Sequence, residues 1–256
     1  LNKGVSGTKV EVAHHVDATN LATSLKKINT NTTEFDLIIF NFPHWGGRGY
    51  IQRNRKLLKD FFLSVQSSKI LASQGEIHLA LKQGQGGTPV DLDLGNPGNT
   101  WKSVECGAGA NFVLAAVDPF VPPDGYYCSG RRGTQKSFWL GGALNHVFVH
   151  SAEEKRPQLV PPAGIYPTMF TFDVSFWILD EMRYTDADIL TTVMESDDCV
   201  RSVEVENEIW AQPRDSKIAK QEIRSMVFRI KYQSQTRPMS REQMTAVHDQ
   251  LREKLG

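Results

Sequence analysis

The sequence predicts two mixed α and β modules: an α/β doubly wound sheet over residues 1–150, then an α+β ferredoxin-like module over 165–256. Three observations predict this. Short apolar runs alternate with helical patterns up to His150. The stretch SAEEKRPQLVPPAG (151–164) is charged and then proline-rich, with no sustained apolar period, as in a linker. The charge balance also changes there. Before Ser151 there are 15 basic and 11 acidic residues, a balance of +4, and from Ser151 onward 14 basic and 18 acidic residues, a balance of −4.

In the first module VEVAHHV (10–16) is a strand candidate, and DATNLATSLKKI after it has a helical pattern. FDLIIF (35–40) is nearly continuous in apolar residues, which predicts a strand buried on both faces of a parallel sheet. From Asn54 to Val65, Leu57, Leu58, Phe61, Phe62 and Val65 form one helical stripe, with Arg55, Lys56 and Lys59 opposite. EIHLAL (76–81), NFVLAAV (111–117) and HVFVH (146–150) are three further strands. Ligands of such sheets gather outside the carboxyl ends of the strands, where Asn41 to His44 fall.

The second module opens with TMFTFDVSFW (168–177), in which Phe170, Phe172, Val174 and Phe176 alternate with Asp173 and Ser175. A helix begins at Thr185-Asp-Ala-Asp188 and carries Ile189, Leu190, Val193 and Met194. CVRSVEVENEI (199–209) and RSMVFRIKYQ (224–233) are strands. Ser240-Arg-Glu-Gln243 has the spacing of a capping box and starts a helix with Met244, Val247, His248, Leu251 and Leu255 on its buried stripe. The order β-α-β-β-α is ferredoxin-like without its last strand. Strands one and three are neighbours in such a sheet, so a cross-strand ion pair between Asp173 and Arg229 is expected.

Composition narrows the classes. Forty per cent apolar and 23 % charged residues are ordinary for a globular chain. The net charge is zero, so an anionic partner needs a local patch. Cys106, Cys128 and Cys199 form no Cys-x-x-Cys pair, so neither a disulfide framework nor a metal site is expected, and a reducing compartment fits. No run of 18 or more apolar residues occurs, and no signal-peptide pattern. Neither a membrane nor DNA is expected as a partner, and composition does not decide the oligomeric state. GQGGTP (84–89) lacks the Gly-Lys-Ser/Thr ending of a P-loop and reads as a flexible rim loop. His14, His15 and His78 lie in strand patterns, and His248 lies on a core stripe.

The strand FDLIIF ends in Asn41-Phe42-Pro43-His44-Trp45, which places an amide, a fixed turn, an imidazole and an indole together. Residues 12–150, through VDATNL, FDLIIFNFPHWG, NRKLLKDFF, GEIHLALKQGQGGTP and GGALNHVF, resemble the Rossmann-like domain of the ribosomal RNA uridine-N3 methyltransferase family. Residues 166–255, through FTFDVSFW, FRIKYQS and MSREQM, resemble the ferredoxin-fold anticodon-binding domain of phenylalanyl-tRNA synthetases. The first resemblance implies a partial Rossmann-like methyltransferase sheet, S-adenosylmethionine as cofactor, RNA as substrate and a cytoplasmic location, with the nucleolus as the alternative. The family's glycine-rich cofactor loop and second strand do not appear before Val10, and Leu1 is not a Met. A fragment or shortened product that binds the cofactor weakly is therefore expected.

The NFPH stretch resembles the Asn-Pro-Pro-aromatic motif of amino-group methyltransferases. That resemblance implies Asn41 as acceptor from the target nitrogen, Phe42 or Trp45 as stacking surface, Pro43 as rigid turn and His44 as proton acceptor. A strand terminator and a scaffold histidine are the competing readings. Asp17 resembles the family's carboxylate facing the adenine, with a helix N-cap as its competing role. Arg48, Arg53, Arg55, Lys56 and Lys59 form the densest basic run and are candidates for RNA phosphate, against a solvated helix face. In the second module the candidates for rRNA or tRNA contact are Arg224, Lys231 and Arg237. The implied function is an RNA methyltransferase with an appended RNA-presenting module. The alternative is a non-catalytic RNA-binding scaffold derived from such an enzyme.

Overall fold

A computed structural model describes residues 11–27, 34–46, 50–91, 97–126, 139–157, 159–178, 185–211 and 223–255. Seven strands in two sheets and five α-helices run through these residues.

The first sheet comprises β1 (Phe35–Asn41), β2 (Leu71–Leu81), β3 (Phe112–Pro119) and β4 (Leu144–His150) in the order β1-β2-β4-β3. Only β1 and β2 run parallel; β4 is antiparallel to both its neighbours. The sheet is therefore mixed where the sequence predicts a doubly wound parallel one. A parallel neighbour requires a crossover, which α2 (Ile51–Ser68) supplies between β1 and β2. Between β3 and β4 the described residues contain no helix, and the chain re-enters the sheet antiparallel.

The predicted helical stripe is the core of this half. Leu58, Phe61, Phe62 and Val65 of α2 are buried against Ile77, Leu79, Leu114 and Phe148. Phe62 meets Phe148 edge-on at 4.8 Å, an arrangement favoured by the ring quadrupoles. Two short helices, α1 (Leu21–Lys27) and α3 (Ser103–Ala108), flank α2, with Leu21 and Cys106 in the same cluster.

Two expectations fail here. FDLIIF is an edge strand among the described strands rather than one buried on both faces. Ile38 and Phe40 pack on the core, whereas Leu37 and Ile39 are 44 % and 58 % exposed on the opposite face. VEVAHHV makes no strand over its described residues, 11–16. His15 takes a left-handed φ of 59°, which breaks an extended run, and His14 and His15 are exposed in a bend.

The second sheet comprises β5 (Phe170–Ile178), β6 (Val200–Ala211) and β7 (Ile223–Tyr232) in the antiparallel order β5-β7-β6. The first and third strands are neighbours, and Asp173 pairs with Arg229 through two hydrogen bonds of 2.9 and 3.0 Å. Helices α4 (Asp186–Met194) and α5 (Arg241–Leu255) cover the face carrying Phe170, Val174, Phe228 and Ile230. Both open with capping boxes. Thr185 and Asp188 exchange bonds at α4, and Ser240 and Gln243 do so at α5. His248 is buried, stacks on Phe172 at 4.9 Å and bonds Tyr232 Oη through Nδ1 at 3.1 Å.

The proline-rich stretch packs onto β3. Ile165 N–H donates to Leu114 O at 2.9 Å, Ala163 is buried, and Ile165 and Tyr166 pack on the first core cluster. Gly164, at φ 85°, lies so close to Leu114 that a Cβ there would come within 3.0 Å of its carbonyl oxygen. Among the described residues no helix is long and apolar enough to cross a membrane.

Candidate active site at the carboxyl end of the parallel strands

β1 and β2 end side by side, with Asn41 opposite Ala80. The next residue, Phe42, turns out of the sheet at φ 49° while its N–H still donates to Ala80 O at 2.9 Å. A left-handed φ is unusual for a bulky aromatic residue, and its ring is held edge-on against Phe120 at 5.0 Å. Pro43 is buried, as a fixed turn after this residue would be. His44 is exposed, and its Nδ1 accepts the Gly46 N–H at 2.9 Å. The neutral ring therefore carries its proton on Nε2 and offers a donor. Trp45 is half-exposed, and its N–H donates to Oδ1 of the buried Asn54 at 3.1 Å.

Asn41 shares the open face of β1 with Leu37 and Ile39, because Ile38 and Phe40 face the helices. Its row crosses the whole sheet: Asn41 pairs with Ala80, Ala80 with Asn145, and Asn145 with Asp118. One row behind, His78 bonds Glu76 through Nε2 at 2.8 Å and meets the Asn145 amide through Nδ1 at 3.4 Å. This face thus carries two amides and a carboxylate on one row, with the small, buried Ala80 between Asn41 and Asn145.

The 84–89 stretch, expected to be a flexible rim loop, is held by hydrogen bonds. The buried Asp91 carboxylate accepts the N–H groups of Gly84 and Thr88, both at 2.8 Å. Trp101 N–H donates to Gln85 O, and Ser103 donates through both N–H and Oγ to Gly86 O. Gly86 sits against the buried imidazole of His146, where a Cβ would come within 2.1 Å of Nε2. Burial pushes the His146 pKa down, so this ring is neutral. Trp101 lies 6.2 Å from the His44 ring and connects this loop to the NFPH turn.

The candidate cations have assorted roles. Arg55 donates to the carbonyls of Thr100 at 2.9 Å and Gly98 at 2.6 Å, tying α2 to the Trp101 segment. Arg53 lies over the Tyr50 ring at 5.5 Å, and Lys56 pairs with Asp60 at 2.7 Å. Lys59 bridges to Glu242 of α5 at 2.6 Å. Arg48 lies outside the described residues. In the second module Arg224 pairs with Asp186 and Glu208, and Lys231 with Glu204 at 2.6 Å. Arg237 is exposed, and its N–H donates to Ser234 Oγ. Asp17 is exposed, and its Oδ1 accepts from the N–H and Oγ1 of Thr19 at 2.9 and 2.7 Å in an Asx-turn ahead of α1. The Thr19 hydroxyl and amide hold this carboxyl below its usual pKa.

Sequence patterning missed Asn54, Trp101, Phe120, Asn145 and Asp118. Asn54 carried a signal: a polar residue one turn before Leu58 on an apolar stripe has a buried partner to satisfy. The other four come together only through strand pairing and loop closure.

A strand pair closing on an Asn-Phe-Pro-His turn beside a glycine loop occupies the position at which open α/β sheets gather their ligands. Residues 2–127 match the model of the family described as rRNA (uridine-N3-)-methyltransferase BTM5-like, a range that includes this turn, the glycine loop and Trp101. The human protein named ferredoxin-fold anticodon-binding domain-containing protein 1 is 41 % identical over 163 residues, 63 % of this chain and 24 % of its own length. The mouse protein named as its homolog is 40 % identical over 146 residues, 56 % of this chain and 22 % of its own length. The chain thus aligns with about a quarter of the length of these curated relatives.

Proposed function

We propose that this chain forms the substrate-facing part of an RNA methyltransferase acting on uridine N3, with residues 165–256 as an appended anticodon-binding-type module that presents rRNA or tRNA. One observation carries the reading. The Asn41–His44 turn lies at the carboxyl end of the only parallel strand pair among the described strands, inside the stretch that matches the uridine-N3 methyltransferase family. Asn41 accepts a hydrogen bond from the target imide and fixes its nitrogen in line for attack. Trp45 is the stacking surface, because Phe42 already packs on Phe120. His44, donating through Nε2, binds a uridine carbonyl and so stabilises the imide anion, whose N3 proton passes to solvent water before the methyl group is transferred.

S-Adenosylmethionine supplies an electrophilic methyl group when bound. The residues of this chain fit it in part. Asp17, held ionised by Thr19, is an acceptor for its sugar or adenine, and Asn41 lies toward the reacting end; a grip for the amino-acid tail is not found among the described residues. In this reading residues 1–150 are the methyltransferase-like part, 151–164 the linker and 165–256 the appended module.

The test uses these residues extended N-terminally to the length of the curated relatives, with labelled S-adenosylmethionine and uridine-containing RNA. Asn41→Ala is expected to abolish methyl transfer and leave RNA affinity within a few-fold. Intact turnover in the variant would reduce the turn to a strand terminator. The scaffold reading is favoured by one observation, the engagement of Phe42 and His44 within the protein. It takes the lead if the parent binds RNA without turnover.

A further inference from the structure

A cleft of about 450 Å³ lies where α2 and α3 meet the start of α5. Its walls carry Arg55, Lys56 and Lys59 from α2 and Lys102 at the start of α3, against Asp60, Glu105 and Glu242. We infer that this cleft between the two modules is the track for the RNA backbone flanking the target base, and that the Lys59–Glu242 pair is a latch the RNA phosphates displace. The inference rests on the RNA-directed reading above and is independent of catalysis.

Geometry and charge both support it. Residues three and four apart on a helix stand about 5–6 Å from one another, so Lys56 and Lys59 fit successive phosphates of one strand. Arg55 of the lining follows Asn54, whose side chain holds the Trp45 N–H, so the cleft and the base site share the first turns of α2. Every wall contributes charge, and the lining sums to four cations against three carboxylates. Lys56 is held by Asp60, Lys102 by Glu105 and Lys59 by Glu242. Of these three carboxylates only Glu242 comes from the second module, so only the Lys59–Glu242 bridge spans the cleft. Both its side chains are about half-exposed or more, at 46 % and 69 %, and such pairs exchange readily for a stronger anion. The start of α5, a 15-residue helix, adds partial positive charge on the same side.

An acidic protein segment would meet the same cations. RNA is favoured because the helix that lines the cleft also holds the turn carrying Trp45, which is 49 % exposed and suits a base followed by its backbone.

The test measures anisotropy of a fluorescein-labelled single-stranded oligouridylate against the whole chain across a salt series. The Lys59→Gln, Lys102→Gln double variant is expected to weaken binding about fivefold at low salt and to lower the salt slope by roughly 1.4, two phosphate contacts on a single strand. Glu242→Gln, which frees Lys59, is expected to tighten binding about two- to threefold, a gain that misfolding cannot mimic. Lys254→Gln, at the far end of α5, controls for net charge and is expected to leave affinity unchanged. The inference is overturned if the chain does not bind the oligouridylate, if the double variant binds as the parent does, if Glu242→Gln leaves affinity unchanged or weakened, or if Lys254→Gln weakens binding equally. Polyglutamate competing as well as RNA of equal charge would assign the cleft to an acidic protein and also overturn it. Failure of methyl transfer in the longer protein would leave these binding results standing.

Discussion

The buried side-chain oxygen of Asn54 accepts the backbone N–H of Trp45, so the first full turn of α2 fixes the loop that leaves β1. The Asn41–Trp45 turn is thereby pinned at both ends, by Phe42 on Ala80 and by Trp45 on Asn54. Its geometry depends on a residue nine positions away from Trp45 and one layer below the sheet.

Removing that acceptor is expected to loosen the turn. Asn54→Ala leaves the Trp45 N–H without its partner and creates a small void, lowering stability by about 1–3 kcal/mol. Hydrogen exchange over residues 43–46 is expected to quicken by more than the global stability change accounts for. Unchanged local protection would show that the turn holds itself.

The contact between Gly86 and His146 is expected to dominate the tolerance of the glycine loop. Gly86→Ala drives a Cβ into the imidazole and is expected to lower stability by about 1–3 kcal/mol. In a His146→Ala background the same substitution has room, and its effect is expected to shrink by at least about 0.5 kcal/mol. Additive changes in urea unfolding would mean that the loop yields instead of the ring.

Stability is expected to fall on mild acidification. Burial pushes the pKa values of His146, His150 and His248 down in the folded chain, while the unfolded chain takes up protons near about pH 6.5. The unfolded state then binds more protons, so stability is full above this pH and declines as pH drops below it. A second decline follows at lower pH. The Lys59 ammonium holds Glu242 down to about 2, and the Arg229 guanidinium lowers Asp173, so these pairs stabilise fully above the ordinary carboxylate range and lose that contribution as pH falls from there through the lowered folded values. Urea midpoints that stayed constant between about pH 7.5 and about pH 5 would contradict the histidine contribution.

Cofactor affinity is expected to be weak for this chain. The glycine-rich loop whose backbone N–H groups would hold the amino-acid tail does not appear in the sequence, and Asp17 and Asn41 alone supply few contacts. Calorimetry of S-adenosylmethionine against residues 1–256 is expected to show no micromolar binding. Micromolar binding would mean that another part of this chain forms the grip.

Much of the architecture was legible because periodicity is local. The α2 stripe, the alternation in β5 and the two capping boxes follow from residues within a few positions of each other. The Asp173–Arg229 pair was legible too, since the β-α-β-β order makes strands one and three neighbours. The strand expected at 10–16 failed for the opposite reason. An apolar alternation predicts a strand only if a sheet edge receives it, and the left-handed His15 and exposed Val12 show a segment without one.

By itself, the sequence determined the chemistry available to the site: an amide, a fixed turn, an imidazole and an indole in five consecutive residues, with a basic helix behind them. Tertiary structure decided how those groups are used. Strand pairing placed Asn145 and Asp118 on the row of Asn41, Phe120 claimed the Phe42 ring, and Arg55 was taken up by the Thr100 and Gly98 carbonyls. The physical reason is separation along the chain. Helix and cap energies act over three or four residues, whereas these partners lie from 43 to 104 positions apart and meet only when burial of the shared core closes the loops between them.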